Sequence, residues 1–550
     1  MTASAPTAAR ATPSAAPGRS GGGGGGGGWA PLRAPAFRRL WLAQFTSNVG
    51  SWMQTVAAQW VMVSLTSSAV LLGAIPAAAS IPSLLLAVPA GVLGDLVDRR
   101  RLILAAQAAM LVASAALALL AAAGGLTPWV LLALLFAIGV GNALSAPTWQ
   151  TLQPELVPPE DRPQAIALGS VNQNLARAVG PAVGGLLLAA TSAALVFSVN
   201  AASFVAVLGA AALTAIPLRE GGAGAGRLPR EHAVAAARAG GRYVRNSPGL
   251  LALIARAVPF IFFAGAIWAL LPIVARDRLG LGSAGYGLLL GCVGVGALGA
   301  ATFGPRLKAR LAPRAVYALA CLVVAGAAAV LGVTGSVAIA VVALVAAGGA
   351  WILGIGLLGA AYQGQMPGWV KARGMSYYLV AFQGSNAIGS LAIGAVAQGT
   401  SARTAFLVIA AGLVAGVAVT WRLTIPAVGP DAGTLADPFP LPPLAAASPS
   451  EGPVRVTVAY PLRDDAALER FRALAPELRR ARRRTGATAW ELSRDAEDPR
   501  RLVETFVVGS WDEHERQHAH QETTDRALLA SLDALLEPGR PRTVHHAIAL

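Results

Sequence analysis

The stretch Gly91-Val-Leu-Gly-Asp95-Leu-Val-Asp98-Arg99-Arg100-Arg101-Leu-Ile103 places five charges between two apolar segments. Each segment, 69–91 and 102–123, is long enough to form a helix of about 20 residues, the length that crosses about 30 Å of hydrocarbon. A charged turn between two such segments is typical of a chain that crosses a membrane repeatedly. The stretch therefore predicts a polytopic membrane protein with this turn at a membrane surface.

The composition agrees with a membrane protein rather than with several soluble domains. Of the 550 residues, 55% are hydrophobic and only 13% are charged, and the mean hydropathy is +0.58. The apolar runs predict an all-α bundle of 12 transmembrane helices in two six-helix halves. The predicted helices lie near 40–65, 69–91, 102–123, 128–147, 164–189, 194–217, 250–275, 285–305, 315–333, 337–362, 375–398 and 403–423.

The positive charge belongs to the membrane part of the chain. Residues 1–422 hold 27 basic and 8 acidic side chains, whereas residues 453–550 hold 16 of each sign. With an N-terminus in the cytoplasm, 20 Lys and Arg residues of the predicted loops lie inside, and only Arg276, Arg278 and Arg403 lie outside. This imbalance predicts that both termini are cytoplasmic and that the basic residues face a membrane surface rather than a nucleic acid.

Changes in composition predict six regions. Pro and Gly runs mark the tail and the linker, and a basic, Ala-rich stretch separates the two halves. The regions are a disordered Gly/Ala-rich tail over 1–32, a first transmembrane half over 33–217, a cytoplasmic central loop over 218–249, a second half over 250–423, a Pro-rich linker over 424–452 and a soluble domain over 453–550.

The last 98 residues predict a small α+β domain. Residues 454–460 alternate like a half-buried strand, and Asp464 begins a helix that ends at Gly486. Strands at 487–494 and 501–510, a helix over 512–536 and a strand at 542–549 complete a ferredoxin-like strand-helix-strand-strand-helix-strand order.

Two motifs resemble those of major facilitator superfamily transporters. The turn with Gly91, Asp95, Asp98, Arg99 and Arg100 resembles the gating loop between the second and third helices of that superfamily. The run from Gly180 through Pro181 to Gly184 and Gly185 resembles the G-P-x-x-G-G motif that marks the fifth helix of its exporters. The combination of Phe37-Arg-Arg-Leu-Trp-Leu42, Val56-Ala-Ala-Gln-Trp60 and Asn172…Asn174-Leu-Ala-Arg177-Ala-Val-Gly-Pro181 is most similar to the enterobactin-exporter and macrolide-efflux branch. The resemblance implies export of a siderophore, an antibiotic or another metabolite from a bacterial cytoplasmic membrane, driven by the proton-motive force.

Polar side chains inside the predicted helices are candidates for substrate binding. Gln44, Asn48, Ser51, Thr55 and Gln59 form one polar face of the first helix, which either lines a cavity or bonds to neighbouring helices. Arg177 lies deep in the fifth helix, where an unpaired cation costs several kcal/mol and usually faces a cavity or a partner. No Asp or Glu lies well inside a predicted helix, which favours an anionic or neutral substrate. The further candidates are Asn142, Asn174, Gln365, Gln383 and Asn386.

The C-terminal string from Glu504 to His518 resembles the dimeric α+β barrel domains related to antibiotic-biosynthesis monooxygenases. That resemblance implies a pairing of two copies, with either a catalytic or a sensory role. His514 and His518 are four residues apart on a predicted helix, and we expect a solvated helix face there rather than a metal site. No metal and no cofactor is predicted. Export is the expected function, and import by the same fold or a membrane-tethered enzyme or sensor are the alternatives.

Overall fold

The computed structural model of the protein describes residues 28–96, 98–214, 233–426, 433–436 and 451–548. Most of the N-terminal tail, much of the central loop and most of the Pro-rich linker lie outside these ranges, so the predictions made for them are not addressed by the structure.

The first half of the bundle consists of six long helices joined by short turns. Several helices begin at a side-chain cap: the Thr127 hydroxyl accepts a hydrogen bond from the Val130 amide, and the Ser192 hydroxyl accepts one from Leu195. The helices are α1 (Pro35–Leu65), α2 (Ala69–Leu96), α3 (Arg99–Ala122), α4 (Pro128–Glu155), α5 (Arg162–Ala190) and α6 (Ala193–Leu213).

The second half repeats this arrangement after a shorter helix, α7 (Ala233–Arg245). Its long helices are α8 (Pro248–Ile273), α9 (Ser283–Arg310), α10 (Pro313–Val333), α11 (Val337–Gly364), α12 (Gly368–Gly399) and α13 (Ala402–Thr420). We call the end of the bundle that carries the Arg99–Arg101 turn the charged end, and the opposite end the far end.

Among the described residues, ten helices are long and apolar enough to cross a membrane. Helices α1 and α5 are not among these ten, although they have 31 and 29 residues. Both carry the polar side chains that the sequence marks as candidate site residues. Helix α1 nevertheless lies inside the bundle, because Val56, Ala57 and Ala58 are fully buried. That all 12 long helices cross the membrane remains a prediction.

The two halves meet through glycines that let helix backbones approach closely. A Cβ placed on Gly287 of α9 would lie 2.6 Å from the Cα of Gly185 on α5. A Cβ on Gly394 of α12 would lie 2.7 Å from the carbonyl oxygen of Ala69 on α2. Small residues at helix contacts of this kind are typical of membrane bundles. Both contacts lie toward the far end, so the halves are closed against each other there.

Residues 454–548 form a separate α+β layer at the charged end. The strands β1 (Val454–Pro461), β2 (Ala489–Arg494), β3 (Arg501–Val508) and β4 (Thr543–Ile548) form one antiparallel sheet in the order β2-β3-β1-β4. The helices are α14 (Asp465–Thr485), α15 (Trp511–Ala519) and α16 (Thr523–Asp533). As expected, Asp464 caps the first helix by accepting a hydrogen bond from the Ala467 amide, and Gly486 follows its last turn with φ 140°.

The single helix predicted over 512–536 is wrong, because the chain breaks between α15 and α16. There the backbone pairs with residues that follow the bundle: the Ala436 amide donates to the Gln521 carbonyl, and the Thr523 amide donates to the Thr434 carbonyl. These two bonds take the peptide groups that a continuous helix would use internally. Glu522 and Asp525 then start the second helix as a capping box.

Candidate functional site

The charged-end part of the polar face on α1 is bonded to α5. Gln44 Nε2 donates to Asn48 Oδ1 over 3.1 Å, and Asn48 Nδ2 donates to Asn172 Oδ1 over 2.8 Å. Asn172 is buried and donates to the carbonyl oxygen of Trp41 over 2.9 Å. This chain of amides holds α1 and α5 together, which is the interhelical role that the sequence left open.

The far-end part of the same face reaches the second half. The Tyr286 hydroxyl of α9 donates to Gln59 Oε1. Gln59 Nε2 in turn donates to the carbonyl oxygen of Trp268 on α8 over 3.3 Å. Thr55, one turn earlier, is half-buried and donates to the carbonyl oxygen of Ser51 in its own helix. Gln59 therefore belongs to the contact that closes the far end.

Arg177 lies between these two parts, against α1. Its Cζ is 5.5 Å from the centre of the Trp52 ring, and the side chain is half-buried. Its Nε is buried and has no hydrogen-bond partner among the described residues. A cation over an aromatic face is stabilised by the ring quadrupole. Asn174, which is also half-buried, donates to the carbonyl oxygen of Ser170 in its own helix.

Asn386 lies where α2, α8 and α12 meet. Its Nδ2 is 3.5 Å from the buried Ser80 hydroxyl of α2, and a Cβ on Gly265 of α8 would collide with its Oδ1. Gln383 is half-buried about one turn before it in α12. These two predicted residues thus lie on the second half, with Asn386 bonded across to the first half.

Two further predicted residues lie on α4 and directly after α11. Asn142 is exposed on α4. Gln365 follows α11 at the charged end, where its carbonyl oxygen is 3.3 Å from the Tyr243 hydroxyl of α7. Gln365 therefore belongs to the junction with the C-terminal domain.

The charged turn is described in part. Asp98 caps α3 by accepting a hydrogen bond from the Arg101 amide over 2.9 Å. Arg100 is exposed, and its Nη2 donates to the carbonyl oxygen of Ala212 over 2.7 Å. The side chains of Asp95 and Arg99 and the surroundings of Gly91 lie outside the described part of the structure. A gating role for this turn stays a prediction.

The glycines of the fifth-helix motif face both α1 and α9. A Cβ on Gly180 would lie 2.6 Å from Trp52 Cβ, and one on Gly184 would lie 2.7 Å from Met53 Cα. Gly185 faces Gly287 of α9, and Pro181 is buried within the helix. This motif therefore places α5, with Arg177, close to helices of both halves.

The C-terminal domain contains a buried ion pair behind its sheet. Glu504 is fully buried on β3 and accepts hydrogen bonds from Arg482 over 3.0 Å and 3.1 Å, from Tyr460 over 2.8 Å and from Trp490 over 2.9 Å. Because every contact of the carboxylate is a donor, its charge is compensated inside the domain. Burial by itself lowers the pKa of Arg482, but the Glu504 carboxylate and the Tyr460 hydroxyl together raise it above its usual value.

The expectation that His514 lies on a solvated helix face is wrong, because only 1% of its surface is exposed. The register of β4 on β1 brings His546 beside it, with 4.9 Å between ring centres, and His518 lies at 4.7 Å. Burial, followed by the charges of His518 and His546, lowers the pKa of His514 to about 3. Within the described ranges, no cluster of His, Cys, Asp or Glu has a geometry that could hold a metal ion.

The C-terminal domain is bonded to the bundle at a junction that the sequence did not predict. The Tyr243 hydroxyl of α7 donates to Glu522 Oε1 over 2.6 Å, and the rings of Trp369 and His520 stack with 3.9 Å between their centres. Arg484 lies over the Tyr243 ring and pairs with Asp525 over 2.5 Å. The basic cluster at 479–484 was the only sequence signal near this contact.

A family model described as "Transmembrane secretion effector" matches residues 26–550, which is nearly the whole chain. The chain belongs to this family of major facilitator transporters. It is accordingly a multi-pass protein of the inner membrane.

Several curated relatives are named for transport. The enterobactin exporter of Shigella boydii is 29% identical over 279 residues, which cover 49% of this chain and 63% of that protein. Macrolide efflux protein A of Streptococcus pyogenes is 26% identical, over 44% of this chain and 59% of the relative. The staphyloferrin A transporter of Staphylococcus aureus is 28% identical, over 30% of this chain and 42% of that protein. The matched parts thus span between two fifths and two thirds of these relatives.

Solved transporters share the fold of this chain. An inward-facing, occupied bacterial homologue of the human lysosomal transporter Spinster superposes with a TM-score of 0.57 at 15% identity, over 72% of this chain and 98% of that one. A D-xylose-proton symporter gives a TM-score of 0.55 at 14% identity, over 71% of this chain and 98% of the symporter. At these identities the likeness concerns the fold alone.

Proposed function

We propose that this protein exports an anionic or neutral small molecule, such as a siderophore or a macrolide-like metabolite, out of the bacterial cytoplasm. The observation that carries the proposal is the position of Arg177: its guanidinium lies over Trp52 between α1 and α5, with a buried Nε that has no partner among the described residues. A substrate with oxygen acceptors or an aromatic ring would satisfy both groups.

Alternating access is the mechanism that fits this arrangement. The polar and glycine contacts described above join the halves toward the far end, through Gln59, Gly287 and Gly394. A substrate would enter from the charged end, bind near Arg177 and leave when the two halves rock and these contacts part. With the charged end in the cytoplasm, as the distribution of Lys and Arg predicts, this path leads outward.

The other candidate residues differ in how well their contacts fit a role in substrate binding. Asn48 and Gln44 are occupied by the bonds that join α1 to α5. Asn386 and Gln383 would form the wall contributed by the second half, and Thr55 the wall of the first half. Asn174 lies about one turn before Arg177 on α5 and so shares a helix face with it. Asn142 and Gln365 also stay candidates. For the driving force, we propose the proton-motive force.

The test is accumulation in a bacterium that lacks its own exporters. Cells that express the chain should accumulate less enterobactin or less of a labelled macrolide than the same cells carrying an empty vector. An uncoupler should abolish the difference. Arg177→Ala should restore accumulation. The matched control is Arg306→Ala, because Arg306 also lies over an aromatic ring, Phe303, at 5.9 Å, but near the end of α9. Equal export by both variants would remove Arg177 from the site.

A second function for the C-terminal domain is favoured by the cluster of the buried His514 with the half-buried His518 and His546. In this candidate the domain is an enzyme or a sensor for the exported compound, and two copies pair through the open face of the sheet. Deleting residues 450–550 distinguishes the two candidates. Full export by the truncated protein would assign the domain a separate activity, whereas loss of export with normal membrane insertion would make it part of the transporter.

A further inference from the structure

A cavity of about 280 Å³ lies at the junction between the bundle and the C-terminal domain. Arg242 of α7 and Trp369 and Arg373 of α12 contribute its bundle side. Arg484 of α14, Arg516 of α15 and His520 contribute its domain side. The cavity is therefore closed only while the domain lies on the bundle.

The charge of the cavity wall is strongly positive. Four arginines line it, and Glu513 is its one carboxylate among the described lining residues. Glu513 Oε2 also accepts a hydrogen bond from the Gly509 amide over 3.0 Å. Arg484 pairs with Asp525 over 2.5 Å and lies 3.7 Å from a Glu522 oxygen, both outside this lining. Arg242, Arg373 and Arg516 bring further positive charge to the same space from both sides, where an anion would lower their mutual repulsion.

The unsatisfied polar atoms of the wall are donors. Arg242 Nε and Trp369 Nε1 are both buried and have no hydrogen-bond partner among the described residues. A buried donor without a partner costs about 1–3 kcal/mol. A ligand that brings acceptor oxygens would relieve this cost at two points of the wall. An anion supplies acceptors and charge together.

The packing of α7 shows how the sequence builds this wall. A Cβ on Gly240 would lie 2.8 Å from Arg373 Cβ, and a Cβ on Gly241 would lie 2.6 Å from the Tyr377 hydroxyl oxygen. The two glycines therefore let α7 lie directly on the first turns of α12. The stack of Trp369 on His520 then joins this surface to the domain, with an angle of 5° between the rings.

We propose that this cavity binds a small anion of the phosphate type, carrying at least two negative charges, and that the bound anion holds the C-terminal domain on the bundle. Guanidinium groups bind phosphate oxygens in pairs, and a group held between arginines of both sides would cancel their repulsion. The same chemistry is offered by a soluble phosphate compound and by the headgroup of an anionic lipid. The inference concerns binding and docking, and it does not depend on the proposed direction or substrate of transport.

The experiment uses the full chain in nanodiscs of phosphatidylcholine, titrated with pyrophosphate in a calorimeter. We expect saturable binding by the wild type and at least tenfold weaker binding by the double variant Arg242→Ala/Arg516→Ala. Arg314→Ala is the matched control, because Arg314 is an exposed arginine of α10 at the same end of the bundle and lies outside the cavity. It should bind like the wild type. Trp369→Phe, which keeps a ring but removes the Nε1 donor, should bind several-fold more weakly and serves if the double variant does not fold.

Hydrogen exchange in α7 and in residues 519–523 identifies the source of the anion. Protection that needs added pyrophosphate assigns a soluble ligand, and protection by phosphatidylglycerol nanodiscs alone assigns a lipid headgroup. The proposal is overturned if neither pyrophosphate nor phosphatidylglycerol binds or protects. It is also overturned if the double variant and Trp369→Phe both bind pyrophosphate as tightly as the wild type.

Discussion

The Tyr243 hydroxyl and the Glu522 carboxylate, 279 residues apart in the chain, form a hydrogen bond of 2.6 Å that joins the bundle to its C-terminal domain. Both groups are buried, and burial raises the pKa of each of them. A buried bond between a phenol and a carboxyl group is electrostatically stronger than its exposed equivalent, and removal of either partner leaves the other buried without a hydrogen bond. Docking of the domain therefore depends on a specific pair.

The first prediction concerns this pair. Tyr243→Phe removes the donor and leaves Glu522 buried, so docking should weaken by about 1–3 kcal/mol. Hydrogen exchange of the full chain in detergent should become faster in α7 and in residues 519–523. Tyr317→Phe is the control, because Tyr317 donates to the Arg256 carbonyl within the bundle and should leave those segments unchanged. Equal exchange in the two variants would contradict a role of the bond in docking.

The second prediction concerns the ion pair inside the domain. Glu504→Gln removes the charge opposite Arg482, and breaking a buried pair of this kind costs about 3–5 kcal/mol. The free energy of unfolding, measured by hydrogen exchange in β1 and β3, should fall by that amount. Glu469→Gln breaks the exposed pair with Arg472, whose side chains are 70% and 51% exposed, and should cost less than about 1 kcal/mol. Similar losses of unfolding free energy in both variants would show that the buried position of the Glu504–Arg482 pair adds nothing to stability.

The third prediction concerns pH and His514. Its pKa falls from a usual 6.5 to about 3 in the folded domain. Between these values the unfolded chain binds a proton that the folded domain does not. Stability should therefore be complete above pH 6.5 and should fall on acidification, by at most about 1.4 kcal/mol per pH unit.

His514→Gln should remove most of this acid sensitivity, measured as hydrogen exchange of the domain from pH 7 to pH 4. His545→Gln, at an exposed position on β4, should retain it. An unchanged pH profile in the His514 variant would show that other groups cause the loss of stability.

The fourth prediction concerns closure at the far end. A Cβ on Gly287 would lie 2.6 Å from Gly185 Cα, so Gly287→Ala should force α5 and α9 apart and reduce transport at least several-fold. Gly299→Ala on the same helix is the control, because no atom lies within 4 Å of its added Cβ. Both Gly→Ala changes raise the helix propensity of α9 by a similar amount. A difference in substrate accumulation between the two variants is therefore due to the contact between Gly287 and α5. Full activity of the Gly287 variant would contradict close packing during the cycle.

Much of the bundle follows from local sequence. Apolar runs locate the helices, and Asp98 and Asp464 are recognisable as caps because the side chain needs only an amide three residues later. Helices α1 and α5 are harder to assign to the membrane, since their polar residues lower the hydropathy. The polar face of α1 was predictable from the spacing of its residues. Whether that face binds substrate or packs against α5 depends on how the helices pack.

The contacts made by distant segments could not be predicted. His546 meets His514 only because β4 pairs with β1 in one particular register, which spacing along the chain does not reveal. The pairing of Tyr243 with Glu522 depends on how a whole domain lies on the bundle. The break at residue 520 has the same origin, because residues 434–436 supply the hydrogen bonds that interrupt the helix.

Transport by the purified protein tests directly whether this chain exports such molecules. Proteoliposomes that contain the wild type should exchange labelled enterobactin or a labelled macrolide against internal unlabelled compound, faster than protein-free liposomes. Arg177→Ala should lose this exchange, and Arg306→Ala should keep it. Exchange at the protein-free rate for both compounds and for staphyloferrin A, with correctly folded protein in the membrane, would contradict the account of this chain as an exporter of such molecules.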